Sequence, residues 1–307
     1  MAYTPRVPQP PLSPEKPRGG ARPPRAEFER LLSVALAEDV GSGDVTTETV
    51  VPSEARARGK LVAKAPGVLC GLDGFIAVFE RLDPTVRVER LASDGDALER
   101  GQEVVVLAGR ARALLVGERT ALNLVQRLSG IATLSARFVA AARPARVYDT
   151  RKTTPGLRAL EKYAVRCGGG ENHSFGLFDA AMLKNNHLDF ARAELGQSLA
   201  RLRARLGPEF FITAEARDER EALAAVAGDA DLVLLDNLAP AALARLCPRL
   251  REAARGRPRR LELEASGGIT LENVGAFAAS GVDRVSIGAL THSAQALDFA
   301  LGMEPLP

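Results

Sequence analysis

The sequence predicts an α/β protein in two parts, a small and largely antiparallel layer followed by repeated βα units of a parallel sheet or barrel. Two observations carry this. Between Arg58 and Arg112 the short apolar runs LVAKA, GVLCG, VRVER, EVVVLAG and RALLV are broken by glycine, Asp-Pro and Asp-Gly turns. Beyond Pro144, strand-like and helix-like segments alternate at intervals of roughly 20 to 35 residues, as βα units do.

In chain order, residues 1–25 are dense in proline and nearly devoid of apolar side chains, so they are expected to be a disordered leader that does no chemistry. Phe28, Leu31, Leu32, Ala35 and Leu36 recur at helical spacing, and Gly41 and Gly43 in EDVGSGDVTT stop that helix ahead of a strand. Residues 26–116 form the first expected domain. Within it, DGDALERGQEVVVLAG has the look of a swinging-arm hairpin, but no lysine sits at a turn to carry a cofactor. Residues 117–292 form the second. It opens with the strongly helical GERTALNLVQRLSGIATLSARFVAAA, a bridge between domains that Arg143-Pro144 stops. The strand-like pieces ARVYDT, AAMLKNN, FFITAEA, ADLVLLDN, LELEASGG and DRVSIGAL follow. Residues 293–307 are expected as a helix packing back on the first domain.

Composition narrows the function. The 307 residues carry 41 basic and 38 acidic side chains, a net charge of +3, which gives no support to a large basic field for nucleic acid. No apolar run approaches the roughly 20 residues of a membrane-spanning helix, and the start does not resemble a signal peptide, so the reading is cytoplasmic. Cys70, Cys167 and Cys247 are odd in number and form no C-x-x-C pair, which predicts reduced thiols.

Each later strand ends in residues that make poor core: Asp149 with Arg151 and Lys152, then Lys184, Glu215, Asp236, Glu264 with Ser266, and Gly288. A polar residue at one strand end usually marks only where the chain meets water. Six in succession is the distribution of a site at the carboxyl-terminal face of a (β/α) barrel. SGGIT (266–270), read as leading into a helix, and GALTHS (288–293) can present backbone N–H groups to a phosphate, or can simply be tight glycine turns. Glu215 and Asp236 supply oxygen ligands suited to Mg²⁺, or can pair with Arg151, Lys152 and Lys184. The segment from Asp149 to His187 gathers Arg151, Lys152, Arg158, Lys162, Arg166, His173 and Lys184, cations suited to a small polycarboxylate or phosphate. His187 is expected to be structural.

The runs GERTALNLVQRLSGIAT, DTRKTTPGLRALEKYAVRCGGGENH, LLDN, LEASGGIT and GALTHS together resemble the quinolinate phosphoribosyltransferase family, from EDVGSGDVTT to the end of the chain. The DTRKTTPGLR run with GGGxNH is the specific part. The resemblance implies a small N-terminal α/β sandwich plus an irregular (β/α) barrel of the type II phosphoribosyltransferase kind. It also implies a homodimer, or a hexamer built from it, with active sites at the subunit interface. The implied reaction converts quinolinate and phosphoribosyl pyrophosphate, with Mg²⁺, into nicotinate mononucleotide, pyrophosphate and CO₂ for NAD synthesis. By the same resemblance Arg119 reaches the partner subunit's substrate, Arg151, His173 and Lys184 surround quinolinate, and Lys152 faces the phosphoribosyl donor. Glu215 and Asp236 face Mg²⁺ or ribose, and Ser266, Gly267, Gly268, Gly288 and His292 face phosphate, with Lys152, Lys184, Glu215 and Asp236 as the catalytic set. Two positions depart from the family pattern: Ser174 stands where an arginine clamp is usual, and K-D-N-H reads Lys184, Asn185, Asn186, His187.

The chemistry of such a reaction asks for this residue set. Cleavage at ribose C1 builds positive charge on the sugar and negative charge on pyrophosphate, which call for carboxylates and cations respectively. A ribosylated ring nitrogen then stabilises the carbanion left by CO₂, so the substrate is its own electron sink. Two other readings stay open at this point: a Schiff-base aldolase using Lys184, and a non-carboxylating or non-catalytic paralogue that binds another small anion.

Overall fold

The computed structural model describes residues 25–307, so residues 1–24 of the leader expected to be disordered lie outside the described residues. Elements run α1 (Arg25–Val40), α2 (Val45–Val50), β1 (Arg56–Ala63), β2 (Gly67–Val68), α3 (Leu72–Leu82), β3 (Arg87–Arg90), β4 (Ala97–Leu98), β5 (Glu103–Arg110), α4 (Ala111–Ala141) and β6 (Arg146–Tyr148). They continue α5 (Arg158–Cys167), β7 (Ala181–Leu183), α6 (Asn185–Ala191), α7 (Leu195–Leu206), β8 (Ile212–Ala216), α8 (Glu219–Ala227) and β9 (Leu232–Asp236). Last come α9 (Pro240–Ala253), β10 (Glu262–Ser266), α10 (Val274–Ala279), β11 (Arg284–Ser286), α11 (Ala289–His292) and β12 (Phe299–Leu306). They form two compact units, one of residues 25–136, 152–169 and 289–307, the other of Arg137–Arg151 and Gly170–Gly288.

The first unit is an α/β sandwich. Its main sheet has the order β12-β1-β5-β3, antiparallel throughout. β1 alternates exposed and inward positions, and its inward Leu61 joins Leu107 of β5, Leu32 of α1, Phe75 and Phe79 of α3, and Leu114 of α4 in one core. Each such side chain contributes about 1.5–3 kcal/mol by leaving water. The start of α3 is capped from a distance: Asp94 accepts hydrogen bonds from the N–H groups of Gly71 and Leu72, both at 3.0 Å.

Several expectations for this unit are corrected. RALLV is not a strand but the start of the 31-residue α4, because a short apolar run reads alike in a strand and in a buried helix. Residues 293–307 hold a strand in place of the expected helix. In β12, Phe299 and Leu301 are buried while Gly302 between β-paired neighbours is exposed, and Gly302 and Pro305 are poor helix formers that an edge strand accepts. The loop after α1 leads into α2, capped by Asp44, before reaching β1. The units also do not divide at residue 116. The chain passes between them several times, and α5, expected in the barrel segment 117–292, belongs with the sandwich.

The second unit is an irregular (β/α) barrel. Its six parallel strands have the order β6-β11-β10-β9-β8-β7, which is chain order around a ring opened between β6 and β7. Beside β6 the backbone of Glu171 bridges to Tyr148 in parallel sense, donating to Val147 O at 2.8 Å and accepting from Asp149 N at 3.1 Å. All six strand-like pieces named from the sequence are strands here. Outside the sheet, α7, α8 and α9 follow in succession and bury Leu199, Ala222, Ala225, Leu243 and Leu250. Among the described residues no helix is long and apolar enough to cross a membrane.

Candidate functional site

Parallel strands in register deliver their carboxyl ends to one edge of the sheet. The pairing rows show which side chains share a face. Asp236, Ser266, Ser286 and Tyr148 form one row across β9, β10, β11 and β6. Leu234, Glu264, Arg284 and Arg146 form the row two residues earlier, and Glu215 of β8 pairs with Leu234. Because side chains two apart in a strand point the same way, these two rows lie on one face. That face is polar.

The earlier row carries a charge network, buried at Glu264 and Arg284, that the sequence reading missed. Arg284 pairs with Glu264 at 2.8 Å and Glu262 at 3.1 Å, and Arg146 with Glu262 at 2.7 Å and Glu171 at 3.4 Å. The Arg284 guanidinium lies 4.4 Å from the centroid of the Tyr148 ring, whose hydroxyl donates to Glu171. Burial, then that bond to Glu171, pushes the Tyr148 phenol up to about 12. Burial would raise the fully enclosed Glu264 carboxyl, but His173, Arg284 and Ser286 overcome this and hold it below its ordinary value. The signal for the network was present as polar residues at alternate positions, Glu262-Glu264-Ser266 and Arg284-Ser286.

His173 is placed from both sides. Asp149, fully buried after β6, accepts from the His173 backbone N–H at 2.8 Å and from Asn172 Nδ2 at 2.6 Å. His173 Nε2 stands 3.4 Å from Glu264 Oε2. The Ser174 N–H donates to His173 Nδ1 at 2.9 Å, and the Ser174 hydroxyl lies 3.2 Å from the same nitrogen. Lys184 at the end of β7 is exposed, with Nζ 3.9 Å from Glu215 Oε2, and Asn185 Nδ2 donates to Glu215 Oε1 at 3.2 Å. His187 is structural, as expected: its Nδ1 accepts from the Lys184 N–H at 2.9 Å and caps α6. Arg151 is exposed just past β6.

Glu215 and Asp236 end adjacent strands on the shared face, with Asp236 one row further along. Two carboxylates are the donor set that Mg²⁺ accepts when substrate phosphates complete its shell. Gly267 has φ +94°, and a Cβ there would lie 2.1 Å from Asn237 Oδ1, so only glycine fits. Gly268 has φ +62°. One expectation fails here: SGGIT does not run directly into a helix. Asn273 accepts from Thr270 N at 2.8 Å and donates to Gly268 O at 2.9 Å, and α10 begins only at Val274. Gly288 follows β11.

In the sandwich unit, Lys152 is exposed but its backbone is held. Thr291 donates to Lys152 O at 2.7 Å. Fully buried Glu161 accepts from Thr154 N at 3.0 Å, Thr154 Oγ1 at 2.8 Å and Arg127 Nη2 at 2.8 Å, and Arg127 also donates to the carbonyls of Thr291 and Ala294. One buried carboxylate thus ties the TRKTTP turn to the segment that carries His292. His292 is exposed at the end of α11, with Nδ1 2.6 Å from Ser293 Oγ, and Arg119 is exposed on α4.

Comparison with known proteins gives a consistent answer. Residues 44–129 match the model of the quinolinate phosphoribosyl transferase N-terminal domain, and residues 131–302 that of its C-terminal domain. A probable nicotinate-nucleotide pyrophosphorylase [carboxylating] of Bacillus subtilis is 40% identical over 277 residues, 90% of this chain and 93% of that protein. The Mycobacterium leprae nicotinate-nucleotide pyrophosphorylase [carboxylating] is 41% identical over 276 residues, covering 88% and 94%. The crystal structure of NadC from Streptococcus pyogenes superposes with a TM-score of 0.87 at 38% identity, covering 94% of this chain and 100% of that one.

Proposed function

The chain belongs to the quinolinate phosphoribosyltransferase family, and we propose that it joins quinolinate to the phosphoribosyl group of phosphoribosyl pyrophosphate with loss of CO₂. The products are nicotinate mononucleotide and pyrophosphate, a step of NAD synthesis. The observation that supports this most is the polar face at the carboxyl ends of the parallel strands, with carboxylates and cations on one mouth.

The ring nitrogen of quinolinate attacks ribose C1 as the C1–oxygen bond to pyrophosphate breaks. Positive charge then grows on the sugar, and Glu215 and Asp236 are assigned to stabilise it. Lys152 is assigned to the departing pyrophosphate and Lys184 to the substrate carboxylates, as point charges on flexible stems. Arg151 and His173 are assigned to quinolinate, with Ser174 beside His173 in place of a second guanidinium. Ser266, Gly267, Gly268, Gly288 and His292 are assigned to the ribose 5-phosphate. The donor set of Glu215 and Asp236 fits Mg²⁺, which when bound neutralises charge on the pyrophosphate. Once the ring nitrogen is ribosylated, the C2–carboxylate bond breaks, its electron pair stays at C2 beside the cationic nitrogen, and a proton replaces CO₂. We assign a homodimer in which the exposed Arg119 reaches the substrate of the partner subunit.

The test is turnover of the purified protein with Mg²⁺, phosphoribosyl pyrophosphate and either quinolinate or nicotinate. Mononucleotide and CO₂ from quinolinate, with none from nicotinate, is the expected outcome. Product from nicotinate alone would overturn the proposal.

A further inference from the structure

Outside the proposed site, the sandwich unit holds a paired thiol centre. Cys70 Sγ, Cys167 Sγ and a carboxylate oxygen of Asp94 all lie within 4.8 Å of one another. Cys70 is fully buried just ahead of α3, and Cys167, the last residue of α5, is half-buried. Both are held by their backbones. Ser129 of α4 accepts from Cys70 N at 2.9 Å and donates to Cys70 O at 3.1 Å. Gly168, next to Cys167, packs so closely on α4 that a Cβ there would lie 2.2 Å from Ala132 O. Ser129 and Ala132 are one helical turn apart, so a single helix meets the backbone at Cys70 and next to Cys167.

We propose that Cys70 and Cys167 are a peroxide-oxidisable dithiol, a modification site at which Cys167 is the attacking sulfur and Cys70 the resolving one. The thiolate of Cys167 attacks one oxygen of hydrogen peroxide, the O–O bond breaks, and a sulfenic acid forms as the released hydroxide takes a proton to become water. The Cys70 sulfur then attacks the Cys167 sulfur. The S–O bond breaks, the disulfide forms, and hydroxide leaves with the Cys70 proton as a second water. Two thiols are oxidised by two electrons and one peroxide is reduced to two waters.

The division of roles follows from the surroundings. The hydrogen bond from the Cys70 thiol, opposed by burial and by the neighbouring Asp94 carboxylate, and helped by the Tyr163 hydroxyl and the charge of Arg166, lowers Cys167 below the ordinary thiol value. Burial raises Cys70 well above it, so Cys70 keeps its proton until the second step. A metal ion held by the two thiols and Asp94 is the competing use of this cluster. Asp94 is already engaged, accepting from Gly71 N, Leu72 N and Tyr163 Oη at 3.0, 3.0 and 3.1 Å, and without it two sulfurs are too few for a closed tetrahedral site.

The experiment treats the full chain with hydrogen peroxide, alkylates the remaining thiols with N-ethylmaleimide, and maps peptides without reduction. The expected result is a Cys70–Cys167 cross-linked peptide that dithiothreitol abolishes, while Cys247, whose thiol burial pushes up to about 11, stays alkylated. In Cys70→Ser, dimedone should trap the sulfenic acid on Cys167; in Cys167→Ser, Cys70 should remain a thiol. Recovery of both cysteines as maleimide adducts at a peroxide dose that oxidises free cysteine would overturn the proposal. So would stoichiometric zinc in the purified protein that shields both thiols until it is chelated.

Discussion

His173 Nε2 lies 3.4 Å from Glu264 Oε2, and Glu264 is in turn 2.8 Å from Arg284 Nε with no exposed surface. A carboxylate enclosed in this way is retained only because the Arg284 guanidinium faces it. The arrangement fixes the ring of a residue assigned to quinolinate through a group that does not itself meet solvent.

Glu264→Gln keeps the shape and removes the charge. Loss of one charge-assisted bond of about 1.5–3 kcal/mol should lower kcat/KM for quinolinate by roughly 10- to 100-fold. Steady-state kinetics at saturating phosphoribosyl pyrophosphate measure it.

The same carboxyl makes stability depend on pH. Its folded pKa lies below the ordinary 4.5, so the stability it contributes is present above that value and lost as pH falls through the folded pKa. Urea midpoints taken between pH 7 and pH 3 should fall more steeply for the natural protein than for Glu264→Gln.

Glu161→Ala removes the acceptor that holds Thr154 and Arg127 together. Arg127 keeps its bonds to the carbonyls of Thr291 and Ala294, so loss of the bonds to Glu161 should cost about 1–3 kcal/mol in denaturant unfolding. It should also raise KM for phosphoribosyl pyrophosphate by freeing the turn next to Lys152. Glu161→Gln, which keeps an oxygen for Thr154, should be milder on both readings.

Gly267→Ala sets a methyl against Asn237 and forces φ +94° on a residue with a Cβ, so binding of phosphoribosyl pyrophosphate should weaken at least ten-fold. Gly256 has φ +80° with open space around it, and Gly256→Ala should cost only about 1 kcal/mol of stability and leave turnover unchanged. Isothermal titration of both variants with the donor separates space from strain.

Ser174→Arg places a guanidinium beside His173 where the family pattern carries one. A bidentate contact to a carboxylate should lower KM for quinolinate by about ten-fold, the value of roughly 1.4 kcal/mol.

The parallel strands were legible because each couples an apolar run to an abrupt polar end, as in LLDN and LEASGG. Their register was not, and register is what sets Glu264 opposite Arg284 and Asp236 opposite Ser266. Glu264 reads in the sequence only as one of six polar strand ends, and it is the pairing with Arg284 that turns it inward. β12 was obscured by its pairing with β1, more than two hundred residues earlier, since local propensity says little about an edge strand with Gly302 and Pro305. The role of Glu161 was hidden for the same reason: its partners Arg127 and Thr154 come from α4 and the turn before α5.

The central claim is that the groups assigned to ribose C1 and the leaving pyrophosphate carry the reaction. Its most direct test is single-turnover formation of nicotinate mononucleotide by Lys152→Ala and Glu215→Ala, each checked for an unchanged urea midpoint and for retained quinolinate binding. Loss of product by at least a hundred-fold in both, with folding and quinolinate binding intact, is the predicted result. Product formation at the natural rate in either variant would contradict the assignment.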